Sequence, residues 1–215
     1  MSTPIKGIIA IDGPAGSGKS TAARGLAQRL GYVHLDSGAI YRCITYAAIG
    51  HAIPLEEGGL IAEMAMRLKI EFMRGTDGKE TVHVNGADRT LAIREEPVTR
   101  AVPLVARHPQ VRDIVDAQLR AHGSEGGVVC DGRDIGISVF PHAHAKFFLE
   151  ASLEARSNRT GQRPERLAER DRIDRERAVS PLRAAEDAIK VDTTRLTAAD
   201  TLNILYERTL PLLPR

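Results

Sequence analysis

The chain has 215 residues, of which 42% are hydrophobic, and a formal net charge of only +2. This length suits one core domain with a small insertion, or two small domains. The nearly balanced charge argues against general binding of polyanions such as nucleic acids, and the absence of Trp argues against a stacking platform for single strands. Arginines number 24 and lysines six, a bias that suits phosphate binding and that a GC-rich genome also produces.

Cysteine usage and the N-terminus indicate the compartment. Cys43 and Cys130 are far apart in the sequence and form no CxxC motif, so a reducing cytoplasm is the default expectation. Residues 1–6 lack the apolar core of a signal peptide, and no stretch is apolar enough to span a membrane. We therefore expect a cytoplasmic protein that binds neither a membrane nor nucleic acid.

The N-terminal third contains the most specific motif. A predicted buried strand over residues 5–11 precedes Gly13-Pro14-Ala15-Gly16-Ser17-Gly18-Lys19-Ser20-Thr21, and a helix is predicted over 19–30 with its end at Gly31. The segment matches G-x-x-x-x-G-K-S, whose backbone N–H groups surround phosphate oxygens. Lys19 would reach the β- and γ-phosphates, and the Ser20 hydroxyl would hold Mg²⁺. An ordinary glycine-rich turn is the alternative, and the strand–loop–helix order disfavours it.

The remaining pattern alternates strands and helices. Helices are predicted over 39–49, 56–68, 110–122, 152–178 and 198–210, and strands over 33–35, 128–131, 146–149 and 188–191. Residues 70–72 and 82–84 alternate polar and apolar side chains around a turn at 75–78, which predicts a β-hairpin. The sequence therefore predicts an α/β fold, a doubly wound parallel sheet around a phosphate-binding loop (P-loop), with a β-containing insertion over residues 67–103.

Two predicted strand ends are followed by charged residues. In Leu35-Asp36-Ser37-Gly38-Ala39-Ile40-Tyr41-Arg42, Ser37 and Arg42 could bind an anion at a helix N-terminus, or Asp36 or Ser37 could simply cap that helix. In Asp131-Gly132-Arg133-Asp134, the first carboxylate is placed to contact Mg²⁺ through water. A solvated turn is the alternative for the second segment.

The stretch 156–177 contains eight arginines. Mobile guanidinium groups there could offset phosphate charge and exclude water when a lid closes. The alternative is a solvated helix with i,i+4 ion pairs, such as Asp171 with Arg175.

Taken together, GPAGSGKST, LDSGAIYR, DGRDIG and ERDRIDRERAVSPL resemble the bacterial cytidylate kinases, in register from Ile8 to Leu196. The resemblance implies a core over residues 1–66 and 104–215, a short helical lid at about 153–178, and residues 67–103 as the monophosphate-binding subdomain. It implies phosphoryl transfer from MgATP to CMP or dCMP by a monomer. Another small P-loop kinase, acting on a different monophosphate or an alcohol, is the nearest rival. A switch GTPase is disfavoured because N-K-x-D is absent.

The same resemblance assigns roles by position. The residues it implies for CMP are Ser37, Arg42, Arg112, Asp134, Arg170, Asp174 and Arg177. Within that set, Asp134 and Arg112 would read the cytosine. Arg156 and Arg159 would face the triphosphate, and the residues implied for catalysis are Lys19, Arg133, Arg170 and Arg177. The metal site would be Ser20 with Asp131.

The chain departs from the family pattern in three places. Pro103 stands where relatives have a base-reading Ser, and Ile173 replaces an Arg of the late cluster. The segment between Arg159 and Arg170 also looks short for a lid of two helices. Looser base selectivity is the expectation that follows from the first departure. For the lid, the alternatives are less complete closure over ATP or a single helix that serves alone.

Overall fold

The fold is described from a computed structural model, over residues 6–74, 80–177 and 179–214. In these ranges five parallel strands form one sheet, in the order β2-β6-β1-β7-β8. Their bounds are β1 Ile8–Asp12, β2 Val33–Asp36, β6 Val128–Gly132, β7 Ala145–Glu150 and β8 Ile189–Asp192. β1 is central and pairs with β6 on one side and β7 on the other. The predicted doubly wound parallel sheet is confirmed.

Within the described residues, the helices are α1 Lys19–Leu30, α2 Ser37–Gly50, α3 Gly58–Met66, α4 Glu96–Ala106, α5 Pro109–Gly123, α6 Leu153–Thr160, α7 Pro164–Glu176 and α8 Ala198–Thr209. Ser152 caps α6 by accepting a hydrogen bond from the Ala155 N–H, and Thr197 with Asp200 forms a capping box on α8. None of these helices is both long enough and apolar enough to cross a membrane.

The chain divides into two compact units, Met1–Asp36 with Leu119–Arg215, and Ser37–Gln118. In the first unit, Leu26 of α1 and Leu205 of α8 belong to one apolar core with Ile9, Ile11 and Phe147 of the sheet. The side of α1 that faces this core carries three alanines, and small side chains let a helix approach a sheet closely. This packing fixes the start of α1 beside the end of β1.

In the second unit, β3 Ile70–Arg74 pairs with β4 Glu80–Val84 in antiparallel register, and β4 pairs with β5 Ala87–Asp88. The predicted strands of the hairpin are confirmed, whereas its predicted turn, 75–78, lies outside the described residues. The unit is wider than the predicted insertion, 67–103, because its core also includes Ala39 and Cys43 of α2. The role of the insertion in binding a monophosphate stays a prediction.

Two expectations about helices need correction. α4 was not predicted, although Val98, Ala101, Val102 and Val105 follow helical spacing and are buried. Its interior Pro103 concealed it, since proline removes one backbone hydrogen bond and normally disfavours a helix interior. The described part of the charged stretch 152–178 is helical as predicted, but it forms two helices, α6 and α7, because Gly161 ends α6 with a φ of +67°. The expectation of a single helix in this stretch is therefore wrong, and the role of the stretch as a lid stays a prediction.

Two glycines with nearly the same backbone angle differ in their surroundings. Gly31, after α1, has a φ of +67° and open space where an added Cβ would lie, whereas Gly126, before β6, has a φ of +69° and a Cβ there would overlap the Lys6 carbonyl oxygen. We predict that Gly31→Ala lowers the free energy of unfolding by about 1–2 kcal/mol, the cost of the left-handed conformation alone. Gly126→Ala should lose at least about 1 kcal/mol more, because the chain leading into β1 must also shift. Urea unfolding measures both, and equal losses would contradict the assigned close approach.

Candidate functional site

The phosphate-binding loop lies between β1 and α1, at the carboxyl end of the central strand. Gly13 to Gly18 form the turn, and Lys19, Ser20 and Thr21 begin the helix. Lys19 is buried, with its side chain folded back so that Nζ donates to the Pro14 carbonyl oxygen at 3.0 Å. No acidic residue occupies the first turn of α1. The helix N-terminus therefore presents N–H groups and a positive dipole end, with no carboxylate on the helix itself, which favours an anion.

A cleft of about 520 Å³ opens beside this loop. Gly16 to Ala22 form one wall, and the other comes from α6, from the segment after β8 and from the start of α8. Arg159, Thr193 and Thr197 lie on that second wall. A cleft of this volume is in the range that holds a cofactor-sized ligand, and its contact with the loop suits a nucleotide whose phosphates reach α1.

Asp131, near the end of β6, lies against the first turn of α1. Its Oδ2 accepts a hydrogen bond from Ser20 Oγ at 2.6 Å, and its Oδ1 accepts one from His34 Nε2 at 2.7 Å. Burial raises the pKa of Asp131, but the His34 and Ser20 hydrogen bonds and the Lys19 charge offset this, so the net pKa is below the usual value. A solvated turn is excluded for this segment, because Asp131 and Asp134 are both buried. The arrangement keeps a carboxylate ionised beside the Ser20 hydroxyl.

His34 was missed by sequence reasoning. It lies on β2, whose parallel pairing with β6 sets His34 opposite Val129 and Leu35 opposite Cys130. The His34 side chain is only 3% exposed and reaches Asp131 across the sheet. The available signal was that His34 lies on the strand that pairs with the strand of Asp131. That pairing could be used only once the order of the strands in the sheet was known.

Positive charge accumulates around Lys19. Burial lowers the Lys19 pKa from 10.5 to about 7, and the charges of Arg133 and Arg170 contribute to this lowering, while Asp131 and Asp36 act in the opposite direction. The influence of Arg133 and Arg170 places both guanidinium groups in electrostatic range of the P-loop lysine. An incoming polyphosphate would relieve this repulsion.

Asp174 organises the arginines. Arg133 Nε donates to Asp174 Oδ2 at 2.9 Å, and Arg177 Nη2 lies 3.4 Å from Asp174 Oδ1. Burial raises the pKa of Asp174, and the charges of Arg133, Arg177 and Arg170 lower it to a net value below the usual one. The structure therefore brings together four of the predicted site residues, Arg133, Arg170, Asp174 and Arg177.

Asp12 is a second residue that sequence reasoning missed. Its carboxylate accepts hydrogen bonds at 2.8 Å from the N–H groups of Ile135 and Gly136, the two residues after Asp134. Burial raises the pKa of Asp12 to about 7, and the nearby Asp134 charge acts in the same direction. Asp12 thus anchors the single π-helical turn Ile135–Val139 that follows Asp134. Its place at the end of β1, directly before the P-loop, was the only signal.

The two predicted triphosphate contacts of the lid differ in exposure. Arg159 is exposed, lies on the cleft wall, and donates to the carbonyl oxygen and to the hydroxyl of Thr193. Arg156 is buried, and its Nη2 lies 2.7 Å from Asp171 Oδ2. The expected Asp171–Arg175 pair is therefore wrong, since Asp171 faces α6 rather than its own helix. The exposed i,i+3 and i,i+4 pairs of α7 are made by Arg172, with Glu169 and Glu176.

The other three predicted CMP residues belong to the second unit. Ser37 is buried at the first position of α2, and Arg42 is half-buried one turn later. Arg112 of α5 is buried, donates to the Ala106 carbonyl oxygen at 3.3 Å, and has its guanidinium 5.7 Å from the centre of the Tyr41 ring. Capping of α2 and binding of an anion are the two predicted roles of Ser37, and the CMP roles of these three residues stay predictions.

The structure also shows the surroundings of the two cysteines and of His144. Cys43 and Cys130 are both buried and form no disulfide. His144 Nδ1 accepts a hydrogen bond from the Ile8 N–H at 3.1 Å. Within the three described ranges, no group of three or more His, Cys, Asp or Glu side chains is arranged to hold a metal ion.

Comparison with known proteins identifies the family. A family model described as cytidylate kinase matches residues 9–209. The cytidylate kinase of Geobacillus sp. (strain WCH70) is 43% identical over 212 residues, which cover 93% of this chain and 94% of the relative. The cytidylate kinase of Bacillus subtilis (strain 168) is 42% identical with the same coverage of 93% and 94%.

A solved structure has the same fold. The crystal structure of TT1252 from Thermus thermophilus aligns with 96% of this chain and 97% of its own, with a TM-score of 0.50 and 21% identity. The P-loop with its lysine, the arginines gathered on Asp174 and the match over residues 9–209 agree with one another: the chain belongs to the cytidylate kinase family.

Proposed function

We propose that this protein transfers the γ-phosphoryl group of MgATP to CMP, and to dCMP, forming the diphosphate and ADP. The observation that carries the proposal is the phosphate-binding loop, whose buried Lys19 begins α1 beside a cleft of about 520 Å³, together with the pairing of Arg133 and Arg177 with Asp174. A donor triphosphate and an acceptor phosphate repel each other, and such a group of cations offsets that repulsion. Membership in the family supports CMP as the acceptor.

On the donor side, the N–H groups of the loop and Lys19 would bind the β- and γ-phosphates. The loop residues proposed for this are Gly13, Pro14, Ala15, Gly16, Ser17, Gly18, Ser20 and Thr21. Arg159 supports the same assignment, because it lies on the wall of the 520 Å³ cleft beside the loop. The rest of the ATP would occupy that cleft.

On the acceptor side, Asp134 would accept a hydrogen bond from the exocyclic amine of cytosine, and Arg112 would donate to the ring acceptors. Arg170, Asp174 and Arg177 would hold the ribose and phosphate, with Arg133 near the transfer point. Ser37 and Arg42 would bind the acceptor phosphate. The contacts that Asp174 makes with Arg133 and Arg177 support this set as a pre-formed group.

Ser20 and Asp131 fit a Mg²⁺ ion. Their hydroxyl and carboxylate oxygens are hard donors of the kind that Mg²⁺ prefers, and they lie 2.6 Å apart. Ser20 would bind the ion directly and Asp131 would contact it through water. Since no cluster of three or more His, Cys, Asp or Glu within the described residues could hold a metal ion alone, the other ligands would be ATP phosphates and water. When bound, Mg²⁺ would neutralise charge on the β- and γ-phosphates.

The chain's own residues would act by position and charge. The acceptor phosphate is largely dianionic at neutral pH, since its second pKa is about 6, so no general base is required. Lys19, Arg133 and the loop N–H groups would align the two phosphates and stabilise the charge that moves between them. We expect the protein to do this as a monomer in the cytoplasm, on free nucleotides.

The direct test is an acceptor panel. Initial rates of ADP release would be measured at fixed MgATP with CMP, dCMP, UMP or AMP, or without an acceptor. We expect release that depends on CMP, and a Lys19→Ala variant that keeps its circular dichroism but loses activity by orders of magnitude. Release that is slow and independent of any acceptor would refute the proposal, as would a clear preference for AMP.

Asp134 should set the preference for cytosine. Uracil presents a carbonyl where cytosine has the amine. UMP would therefore set an acceptor instead of a donor against the Asp134 carboxylate and lose that hydrogen bond, a cost of about 1–3 kcal/mol or more. We predict that Asp134→Asn, whose amide can also donate, narrows the CMP/UMP ratio of kcat/KM by about tenfold or more, on the order of that cost. The half-buried Pro103 has no side-chain donor or acceptor to compensate. An unchanged ratio would exclude Asp134 from base reading.

The Lys19 pKa predicts how ATP affinity depends on pH. In the free protein Lys19 has a pKa of about 7, and a bound triphosphate would raise it, because the negative phosphates favour the ammonium form. Between these two pKa values binding takes up a proton. ATP affinity should therefore be constant somewhat below pH 7 and fall as pH rises above 7, by at most about tenfold per pH unit.

Calorimetric titrations of ATP at pH values of about 6.5, 7.5 and 8.5 measure this dependence. Repeating them in two buffers of different ionisation enthalpy counts the protons taken up. Lys19→Met should bind ATP more weakly and without this pH dependence. The prediction fails if wild-type affinity rises with pH above 7, or if the Met variant keeps the same slope.

A further inference from the structure

All three nitrogen atoms of the Arg156 guanidinium are engaged within the protein. Nε donates to the Ala151 carbonyl oxygen at 3.1 Å, Nη1 donates to the Ala15 carbonyl oxygen at 3.1 Å, and Nη2 lies 2.7 Å from Asp171 Oδ2. Ala15 is part of the P-loop, and Asp171 is on α7. One side chain on α6 therefore joins the phosphate-binding loop to both lid helices.

The backbone of the loop is also in direct contact with α6. Gly16 has a φ of +76°, and a Cβ there would lie 3.0 Å from Arg156 Cβ and 3.1 Å from Thr160 Cγ2. Arg156 thus donates a hydrogen bond to the carbonyl oxygen of Ala15, and the next residue, Gly16, is the one that packs against α6. The peptide between Ala15 and Gly16 is restrained both by a hydrogen bond and by packing.

The inner side of α7 is held mainly by charge. Its buried residues are Leu167, Asp171 and Asp174, so two of the three are carboxylates. Asp171 pairs with Arg156, and Asp174 pairs with Arg133 and Arg177. The Arg156–Asp171 pair therefore lies one helical turn from Asp174, on the same helix.

Stability alone is a weak explanation for this pair. Both side chains are only 5% exposed, and a buried ion pair is often no more stabilising than apolar side chains of similar size. Asp171 Oδ1 is also buried without a hydrogen-bond partner, which is unfavourable. Such a pair is better explained by what it orients.

We propose that Arg156 is a positioning residue that sets the conformation of the P-loop through the Ala15 carbonyl, with Asp171 holding the guanidinium in place. This deepens the proposed function, on which it rests, and it replaces direct contact between Arg156 and the triphosphate. The ion pair thereby connects the donor-binding loop with the helix that carries Arg170 and Asp174. Removal of either partner releases the same constraint.

The test is a double-mutant cycle on ATP affinity, measured by calorimetry without CMP. Arg156→Gln and Asp171→Asn should each weaken ATP binding by about tenfold or more, the effect of losing a hydrogen bond to a charged group. The double variant should bind ATP no more weakly than the single variant with the lower ATP affinity, because the two substitutions remove the same constraint. The KM for ATP should rise in parallel, and Arg156→Lys should recover part of the loss.

Direct contact with phosphate predicts a different result. Arg156→Gln would then weaken ATP binding, while Asp171→Asn would leave it unchanged or tighten it by freeing the guanidinium; that outcome overturns the proposal. Wild-type affinity in both single variants also overturns it. The matched control is Arg172→Gln, which removes the exposed pairs of the same helix with Glu169 and Glu176 and should leave ATP affinity unchanged.

A further variant separates positioning from stability. The double variant Arg156→Met, Asp171→Leu removes both charges of the buried pair at once. Its midpoint of thermal unfolding should therefore stay near that of the wild type. Because the hydrogen bond to Ala15 is still lost, ATP affinity should remain low; restored affinity would overturn the proposal. ATP binding is measured separately from turnover, so a protein that binds ATP but does not phosphorylate CMP refutes the proposed acceptor and not the positioning role.

Discussion

Repulsion among cations at the carboxyl edge of the parallel sheet is the constraint on which the rest of this structure depends. The charges of Arg133 and Arg170 help to lower the pKa of Lys19. The same two charges and that of Arg177 lower the pKa of Asp174. Side chains of one charge do not stay together without compensation. In the free protein, the buried carboxylates Asp131 and Asp174 provide it.

The carboxylates at this edge have different environments. Asp131 and Asp174 face cationic groups, and their pKa values are depressed in spite of burial. Asp12 faces backbone N–H groups, and burial raises its pKa to about 7. The first two keep cations in place, whereas the third fixes the turn after Asp134. Phosphate groups can replace or supplement the contacts that Asp131 and Asp174 make with the cationic groups. In this way the same edge would accept two nucleotides.

The sequence predicted the parts that depend on neighbouring residues. The P-loop, α1 from Lys19 to Leu30 and the parallel sheet follow from local pattern. The sequence could not predict contacts between distant segments. His34 meets Asp131 only because β2 pairs with β6, and Asp171 pairs with Arg156 rather than Arg175 because α6 and α7 pack together. α4 was not predicted for another reason. Its apolar residues have helical spacing, but Pro103 within the segment argued against a helix.

The central claim is that one continuous cationic edge holds the donor and acceptor phosphates in line. A compound that joins adenosine and cytidine through five phosphates tests it most directly. The account predicts one-to-one binding, competition with both ATP and CMP, and an affinity at least about 100-fold higher than that of either nucleotide, because one molecule would satisfy both sets of contacts. Competition with ATP alone, at an affinity no better than that of ATP, would contradict it.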